Sequence, residues 1–285
     1  LNYKKLDDKN IQCRACAHYC QISPDQVGVC GVRQNRAGKL YSLVFDRAVA
    51  LNIDPIEKKP LYHFLPNSFS YSVGTLGCNF RCANCQNYDI SQVFGFKGKV
   101  GEYEHLNWGQ KITPAEIVQG ALNSGCKSIA YTYNEPTVFL EYAYETMKQA
   151  RAQNLKNIWV SNGFMSAETL NLIFPYLDAI NVDLKSIRED FYKDYCGARL
   201  EPVLENLKAI VRAGVHLEVT TLVIPTLTDQ ARELKQIAQF IRKELGAETP
   251  WHVSAFSPEI SWRLKDLSGT TAEKIRETQK MEKEA

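Results

Sequence analysis

The chain has 285 residues, of which 45% are hydrophobic and 23% charged, a composition typical of a globular protein. Its 34 Lys and Arg residues nearly balance its 32 Asp and Glu residues, leaving a net charge of +2 with no long block of one sign. This balance argues against nucleic acid as a partner, because such binding needs a strongly basic surface. No uncharged apolar run approaches the roughly 18 residues of a membrane helix, and the polar beginning is no secretory signal. We predict a cytoplasmic protein with no membrane partner.

The nine cysteines are too few for a disulfide scaffold, and most of them fall in two short groups. In a reducing cytosol, such close spacing indicates metal binding or redox chemistry. The groups share polar and charged neighbours, and they comprise Cys13, Cys16, Cys20 and Cys30 near the start and Cys78, Cys82 and Cys85 further along. Of the other two, Cys126 is interpreted as structural, whereas Cys196 follows a predicted strand and is a candidate for contact with a substrate.

The first cysteine group supplies four thiolates, which is enough for a closed tetrahedral metal site. Either a [4Fe–4S] cluster that admits electrons or a structural zinc ion satisfies this spacing. The position just before the rest of the fold favours the iron–sulfur interpretation slightly. His18 is not needed as a ligand, because four cysteines suffice. Two short strands are predicted after this group, over Leu40–Phe45 and Ala48–Ile53.

From residue 69 onward, short β-rich runs alternate with segments of helical period, which is the pattern of parallel βα units. The six predicted strands are Phe69–Val73, Ser128–Tyr133, Asn157–Val160, Asp178–Val182, His216–Ile224 and Trp251–Ala255. The stretch 86–112 has no pattern that can be assigned. This α/β arrangement fits a doubly wound sheet or a partial (β/α)6 barrel of the TIM type, and periodicity alone does not separate them.

Helix boundaries between these strands carry local signals. The predicted capping boxes, in which a hydroxyl and a carboxylate satisfy the first backbone amides of a helix, pair Thr113 with Glu116 and Thr270 with Glu273. Gly125 and Gly214 stand where a left-handed cap would end a helix and release the chain into the next strand.

A polar group lies at the end of each predicted strand: GCNFRCANC, NEPT, SNGF, DLK, IPT, and His252 with Ser254. Because loops at the carboxyl ends of parallel strands build the active site in α/β folds, we expect these groups to meet at one mouth. Polar groups at all six strand ends favour the barrel, in which the strand ends surround one mouth. We therefore predict a cysteine-rich metal-binding extension over residues 1–60 and a catalytic partial barrel over residues 61–285.

The spacing of Cys78, Cys82 and Cys85 places three thiolates on one tight loop. Three is one fewer than a cubane iron–sulfur cluster needs, so one iron is left open for an exogenous molecule. A catalytic zinc with three cysteine ligands is the alternative. A structural zinc is disfavoured, because no further His or Cys lies close in sequence to complete it.

At this point the sequence resembles the radical SAM enzymes, in which CxxxCxxC follows the first strand of a βα fold. The resemblance extends over essentially the whole chain through LGCNFRCANCQN, DPIEKKPLYHFLPNS, YTYNEPTVFLEYA, SNGF, NVDLK and PWHVSAFSP. These segments look like the branch that contains the pyruvate formate-lyase activating enzymes, and most of all like the radical SAM component of the AmmeMemoRadiSam system.

The resemblance implies that Cys78, Cys82 and Cys85 hold a catalytic [4Fe–4S] cluster whose open iron binds S-adenosylmethionine. An electron would split that molecule into methionine and a 5′-deoxyadenosyl radical, which takes a hydrogen atom from a substrate. The residues at matching positions for binding S-adenosylmethionine are Phe80, Asn134, Glu135, Asn162, Gly163, Asp183, Lys185 and His252. The chain departs from the family at Thr226 and Thr228, where Gly and Asn are common, and it lacks two glycines before Glu135.

The substrate stays open in this interpretation. The activating enzymes imply a glycine in a partner protein, whereas the wider resemblance also allows a small molecule. An electron donor of the flavodoxin or ferredoxin type is implied as a partner. The alternative is a non-catalytic iron–sulfur or zinc protein that serves as an electron carrier or scaffold, and it needs neither S-adenosylmethionine nor Glu135.

Overall fold

The computed structural model describes residues 2–93 and 108–284. Short antiparallel strands form the part of the chain around the first cysteine group. Their bounds are β1 (Tyr3–Lys5), β2 (Ile11–Cys13), β3 (Gln21–Ile22), β4 (Arg33–Arg36), β5 (Lys39–Ser42) and β6 (Arg47–Ala48). β1, β2 and β3 form one sheet, and β4 and β5 form a hairpin. The strand predicted over Leu40–Phe45 is confirmed as β5, although it begins and ends earlier.

The main sheet has seven strands, and six of them are the predicted parallel strands. It contains β7 (Ala50–Pro55), β8 (Phe69–Gly74), β10 (Ser128–Tyr131), β11 (Lys156–Ser161), β12 (Ala179–Asp183), β13 (His216–Val223) and β14 (Trp251–Ala255), while β9 (Gln110–Lys111) pairs with β6. The strand predicted over Ala48–Ile53 is confirmed mainly as β7, which pairs antiparallel with β8.

Strands β8 to β14 of the main sheet run parallel and lie side by side in chain order. A doubly wound sheet reverses its strand order at a switch point, and this sheet has no such reversal. The order is therefore that of a singly wound βα array. Closure of the array into a partial barrel, and the division at residue 60, stay predictions.

Helices follow the parallel strands along the chain. Their bounds are α1 (Tyr88–Ser91), α2 (Pro114–Asn123), α3 (Leu140–Ala152), α4 (Ala167–Ile173), α5 (Glu189–Phe191), α6 (Glu201–Arg212), α7 (Ala231–Phe240) and α8 (Ala272–Glu284). Single π-helical turns extend α5 over Tyr192–Cys196 and α7 over Ile241–Leu245. No helix among the described residues is long and apolar enough to cross a membrane. Of the unassigned stretch 86–112, residues 94–107 lie outside the described part of the chain.

The local signals at α2 are confirmed. Thr113 accepts a hydrogen bond from the Glu116 amide, and the Glu116 carboxylate accepts one from the Thr113 amide, which completes the capping box. Gly125 and Gly214 adopt φ angles of +66° and +72° after α2 and α6, as a left-handed helix cap requires.

The capping box predicted at α8 is wrong. The hydroxyl of Thr271, one residue later than predicted, accepts the hydrogen bond from the Lys274 amide. Thr270 is instead used in tertiary structure, because its hydroxyl accepts from the Phe256 amide at 2.9 Å. Two adjacent threonines offer the same capping chemistry, and the packing against β14 decides which one caps.

The two faces of the main sheet are covered differently. The helices cover one face through the largest core cluster, which contains Ile129, Trp159 and Ile180. The segment 56–65 lies across the other face, where its apolar side chains meet those of three neighbouring strands in a small cluster: Ile56, Leu61, Phe64 and Leu65 with Ala130, Ile158 and Ala179. This segment follows the edge strand β7 and places its own side chains over the centre of the sheet.

Candidate active site

The loop that carries Cys78 is fixed by a buried amide. Asn134, in the loop after β10, accepts from the Thr75 amide at 3.1 Å and donates to the Gly77 carbonyl at 2.7 Å. Gly77 adopts φ of +85°, and a Cβ there would lie 2.6 Å from the Cys30 carbonyl oxygen. The loop thus needs glycine at this position, and it is packed against the first cysteine group. Asn134, predicted to bind S-adenosylmethionine, holds the cysteine loop in this structure.

The three cysteines of the second group lie on this loop, directly after β8. Burial raises the pKa of Cys78, and the nearby carboxylate of Glu135 raises it further. A hydrogen bond with the Cys196 thiol is the largest cause that raises the pKa of Cys82, followed by burial. These thiols are therefore protonated at neutral pH without a metal, and metal binding displaces the protons.

Glu135 is a buried carboxylate at the carboxyl ends of β10 and β11, with an exposed fraction of 3%. Its oxygens accept hydrogen bonds from the Thr137 hydroxyl at 2.5 Å, the Ser161 hydroxyl at 2.9 Å and the Asn162 amide at 2.8 Å. Burial raises the pKa of Glu135, although these hydrogen bonds oppose the shift. The side chain is held in one orientation close to Cys78.

The turn after β11 connects Glu135 to the cysteine loop. The Asn162 side chain donates to the Asn79 side-chain oxygen at 2.8 Å. Gly163 adopts φ of +75°, and a Cβ there would lie 2.8 Å from Cγ1 of Val182. The predicted residues Asn162 and Gly163 are thereby brought to the same end of the sheet as Glu135.

Asp183 and Lys185, at the end of β12, form an ion pair with an Nζ–Oδ2 distance of 2.8 Å. Burial by itself would lower the pKa of Lys185, but Asp183 and the thiols of Cys82 and Cys196 raise it well above its ordinary value. This arrangement places a persistent positive charge beside the cysteine loop. Such a charge favours thiolate over thiol.

Phe80 and Asn84 lie on the cysteine loop, on either side of Cys82. The Phe80 ring is 1% exposed and packs edge-on against Phe164 and Tyr192, with centroid distances of 5.3 and 6.2 Å. Its predicted contact with adenine is limited by this enclosure. The Asn84 side-chain oxygen, next to Cys85, is buried without a hydrogen-bond partner among the described residues. The sequence interpretation did not select Asn84.

His252 lies in β14 and binds a residue that the sequence interpretation missed. Its Nε2 lies 2.6 Å from Oε2 of Glu218, which is fully buried in β13. Burial alone would raise the pKa of Glu218, but hydrogen bonds from His216, His252 and two backbone amides hold it well below its ordinary value. The sequence offered one signal for Glu218, since it is the single acidic residue in the predicted strand His216–Ile224.

The four cysteines of the first group converge on one cavity. Its lining includes Cys13, Cys16, Cys20 and Cys30 together with His18, Arg33, Asn79 and Thr137. Asn79 follows Cys78 in the second group, and Thr137 binds Glu135, so this cavity shares a wall with the second cysteine group. Burial raises the pKa of Cys30 to about 12.

Two polar contacts of this cavity show how it is built. The guanidinium Nε of Arg33 lies 3.3 Å from Sγ of Cys13 and donates to it. His18 is not placed as a metal ligand, because its Nε2 donates to the Asn79 carbonyl at 2.8 Å. Burial lowers the pKa of His18. The Asn79 side-chain nitrogen is buried without a partner among the described residues, and it is a donor available to a bound group.

The donor sets fit the groups that the sequence implies. Three thiols on one loop, beside a lysine and a buried carboxylate, suit a cluster that leaves one iron for an amino-acid ligand. Four thiols around a cavity with a buried arginine and an unpartnered amide suit a second metal centre.

Residues 72–241 match the Radical SAM superfamily, and this match covers more than half of the chain. The protein therefore belongs to the radical SAM superfamily. Membership implies an enzyme that uses a [4Fe–4S] cluster and S-adenosylmethionine.

Among its relatives, an uncharacterised protein of Methanocaldococcus jannaschii is 41% identical over 273 residues, covering 96% of this chain and 78% of that protein. The pyruvate formate-lyase-activating enzyme of Clostridium pasteurianum is 22% identical over 223 residues, covering 73% of this chain and 87% of the relative. The chain is thus a radical SAM protein related to activating enzymes.

A solved structure of a radical SAM methyltransferase from Sphaerobacter thermophilus has the same fold. The TM-score is 0.55 at 13% identity, and the alignment covers 78% of this chain and 65% of that chain. This likeness supports the α/β fold with its parallel sheet.

Proposed function

We propose that the chain is a radical SAM enzyme whose catalytic cluster is held by Cys78, Cys82 and Cys85. The observation that carries the proposal is the position of these thiols, on a loop that directly follows the first parallel strand and faces the buried carboxylate of Glu135. When bound, the cofactors supply one-electron cleavage of S-adenosylmethionine and abstraction of a hydrogen atom from a substrate.

The chain's own residues would bind and orient S-adenosylmethionine. Glu135 would accept hydrogen bonds from its ammonium group, since the carboxylate is buried and held in place by Ser161 and Asn162. Asp183 and Lys185 offer a hydrogen-bond acceptor and a cation at the neighbouring strand end. In this proposal Gly163 permits close approach of the backbone. Phe80 is enclosed and His252 contacts Glu218, so their assignment to the adenosyl group stays a prediction.

We propose that Cys13, Cys16, Cys20 and Cys30 would hold a second [4Fe–4S] cluster, which would supply electron transfer toward the catalytic site. The shared wall supports this role, because Asn79 lines the four-thiol cavity and follows Cys78 directly. An electron carrier of the flavodoxin or ferredoxin type would reduce this cluster. A structural zinc is the competing occupant, and metal analysis separates the two.

We propose a protein as the substrate of hydrogen abstraction. The support is that several relatives are named as activating enzymes, among them the isethionate sulfite-lyase activating enzyme of Desulfovibrio desulfuricans, 23% identical over 167 residues. Feeding deuterated candidate proteins or metabolites and detecting deuterium in 5′-deoxyadenosine would identify the class. Label that arises only from a small molecule would overturn the protein substrate.

The cleavage reaction tests the catalytic assignment. Anaerobically reconstituted protein, reduced with dithionite, should convert S-adenosylmethionine to 5′-deoxyadenosine and methionine, and Cys82→Ser should abolish both products. Cys126→Ser is the matched control, because Cys126 is an equally buried thiol away from both groups. Unchanged cleavage in Cys82→Ser contradicts the cluster assignment. An absence of S-adenosylmethionine binding to the native protein favours the non-catalytic electron carrier.

Metal analysis tests the first cysteine group. The double variant Cys13→Ala with Cys16→Ala should lose about four iron atoms per chain if a cubane cluster is bound there. Loss of one zinc with unchanged iron would show a structural zinc site instead.

A further inference from the structure

The carboxylate of Glu218 is surrounded by three histidines on the sheet face that the segment 56–65 covers. Nε2 of His216 lies 2.9 Å from Oε1, Nε2 of His252 lies 2.6 Å from Oε2, and Nδ1 of His63 lies 3.3 Å from Oε2. We name these four residues the Glu218 cluster. It uses none of the nine cysteines.

Two of the histidines converge on the same carboxylate oxygen. One ligand atom each from His63, Glu218 and His252 lies within 4.8 Å of the other two, and no second such group of His, Cys, Asp or Glu occurs among the described side chains. Two imidazoles and one carboxylate form the donor set that holds zinc or non-haem iron while leaving coordination positions open. His216 contacts the other oxygen and lies outside this group of three.

The three ligand atoms are held by rigid parts of the fold. Glu218 and His252 come from β13 and β14, whose register pairs Thr220 with His252 and so directs both side chains to one face. His63 comes from the segment 56–65, which is anchored because the amides of Tyr62 and His63 donate to Glu218 at 3.0 and 2.8 Å. Ligands on such supports are preorganised for a metal ion.

A second observation comes from Asn181, the direct neighbour of Glu218 in β12. Asn181 is completely buried, and its nitrogen donates to the Pro60 carbonyl and the Thr220 hydroxyl, both at 2.9 Å. Its side-chain oxygen has no hydrogen-bond partner among the described residues. A water molecule on a bound metal would supply the missing donor.

We propose that His63, Glu218 and His252 form a binding site for a divalent transition-metal ion, separate from both cysteine groups. Imidazole and carboxylate ligands favour a single ion such as Zn²⁺ or Fe²⁺, whereas thiolates hold iron–sulfur clusters. Three protein ligands leave the remaining positions to water or to an oxygen donor. The side chain of His63 is 60% exposed, which gives the ion a path from solvent.

The site lies close to the catalytic end of the sheet. Asp183 of β12 pairs with Thr220 of β13, which pairs with His252 of β14, so Asp183 and His252 are level and on one face. Two strand spacings separate them, about 10 Å. An oxygen-donor ligand on the ion would therefore be held beside the pair of Asp183 and Lys185.

Zinc binding to the cluster-loaded protein tests the proposal. The protein is dialysed anaerobically against buffered Zn²⁺, its zinc is counted by mass spectrometry, and its zinc X-ray absorption edge reports the ligand atoms. We expect one zinc per chain with a nitrogen and oxygen shell. His63→Ala and Glu218→Gln should weaken this zinc binding at least about tenfold.

His216→Gln is the matched control, because it removes a histidine from the same carboxylate but leaves the three proposed ligands. Because the Gln amide can still donate to the carboxylate, this variant should weaken zinc binding less than His63→Ala does. His63 is exposed, so His63→Ala remains informative even if Glu218→Gln fails to fold. Equal zinc binding by native protein and His63→Ala overturns the site. So does a sulfur shell around the zinc, or a loss in His216→Gln as large as in His63→Ala.

Discussion

The guanidinium of Arg33 binds both carboxylate oxygens of Glu141, with nitrogen–oxygen distances of 2.6 and 2.7 Å. Arg33 is buried beside Cys13, and Glu141 lies in the first turn of α3. The pair thereby ties the first cysteine group to a helix of the parallel array. Breaking a buried pair leaves an uncompensated charge, which is far more costly than breaking an exposed pair.

Glu141→Gln should therefore lower the free energy of unfolding by about 3 kcal/mol. Glu145→Gln is the control, because Glu145 lies on the same helix in an exposed pair with Lys148 and should cost less than about 1 kcal/mol. Urea denaturation of both variants measures the difference. Equal losses would show that the buried pair contributes no more than a surface one.

Cys196→Ala should make the reduction potential of the catalytic cluster more negative. The Cys196 thiol hydrogen-bonds with the Cys82 thiol, and hydrogen bonds to ligating sulfur raise the potential of an iron–sulfur cluster. Cleavage of S-adenosylmethionine should slow about tenfold while iron content stays unchanged. Redox titration measures the potential, and Cys196→Ser, which keeps a donor, should restore most of it. A potential that is unaffected by Cys196→Ala contradicts this role.

Stability should fall in acid because of Asp54. Burial would raise the pKa of Asp54, but hydrogen bonds from Lys59 and Tyr133 outweigh it and lower the pKa from 3.8 to about 2. A carboxyl whose folded pKa is depressed stabilises the protein above its unfolded pKa, and the effect, about 2 kcal/mol, is lost as pH falls through the folded pKa.

The free energy of unfolding of Asp54→Asn should therefore be closest to that of the native protein in acid. Urea denaturation should show that the difference in unfolding free energy between the native protein and this variant is about 1 kcal/mol smaller at pH 3 than at pH 6. Lys58→Ala should leave the pH dependence unchanged, because Lys58 is 69% exposed and 3.7 Å from Asp54. A gap that is constant between the two pH values would refute the shifted pKa.

Gly163→Ala should destabilise the protein more than Gly125→Ala. Both glycines adopt positive φ, so both variants lose about 1 kcal/mol of backbone free energy. Only at Gly163 does the new Cβ meet a neighbour, Cγ1 of Val182 at 2.8 Å, while nothing lies within 4 Å at Gly125. Overpacking adds about 1–3 kcal/mol, which thermal or urea unfolding would detect. Similar losses in the two variants would mean that the turn relaxes freely.

The sequence by itself determined the βα array and the class of protein. Hydrophobic runs of strand length and capping signals are local, and so all six parallel strands and the cap at Thr113 are confirmed. The spacing of Cys78, Cys82 and Cys85 is local too, because one loop carries all three. The match to the radical SAM superfamily agrees with the class that the resemblance implied.

Only the tertiary structure decided which distant side chains meet. Asn134 and Glu135 are adjacent in sequence, yet one fixes the cysteine loop and the other stands buried beside it. Glu218 carries no motif, and its three histidines come from separate positions that strand register and the segment 56–65 bring together. Such contacts depend on which strands become neighbours and which face each side chain takes, and a linear pattern does not contain that information.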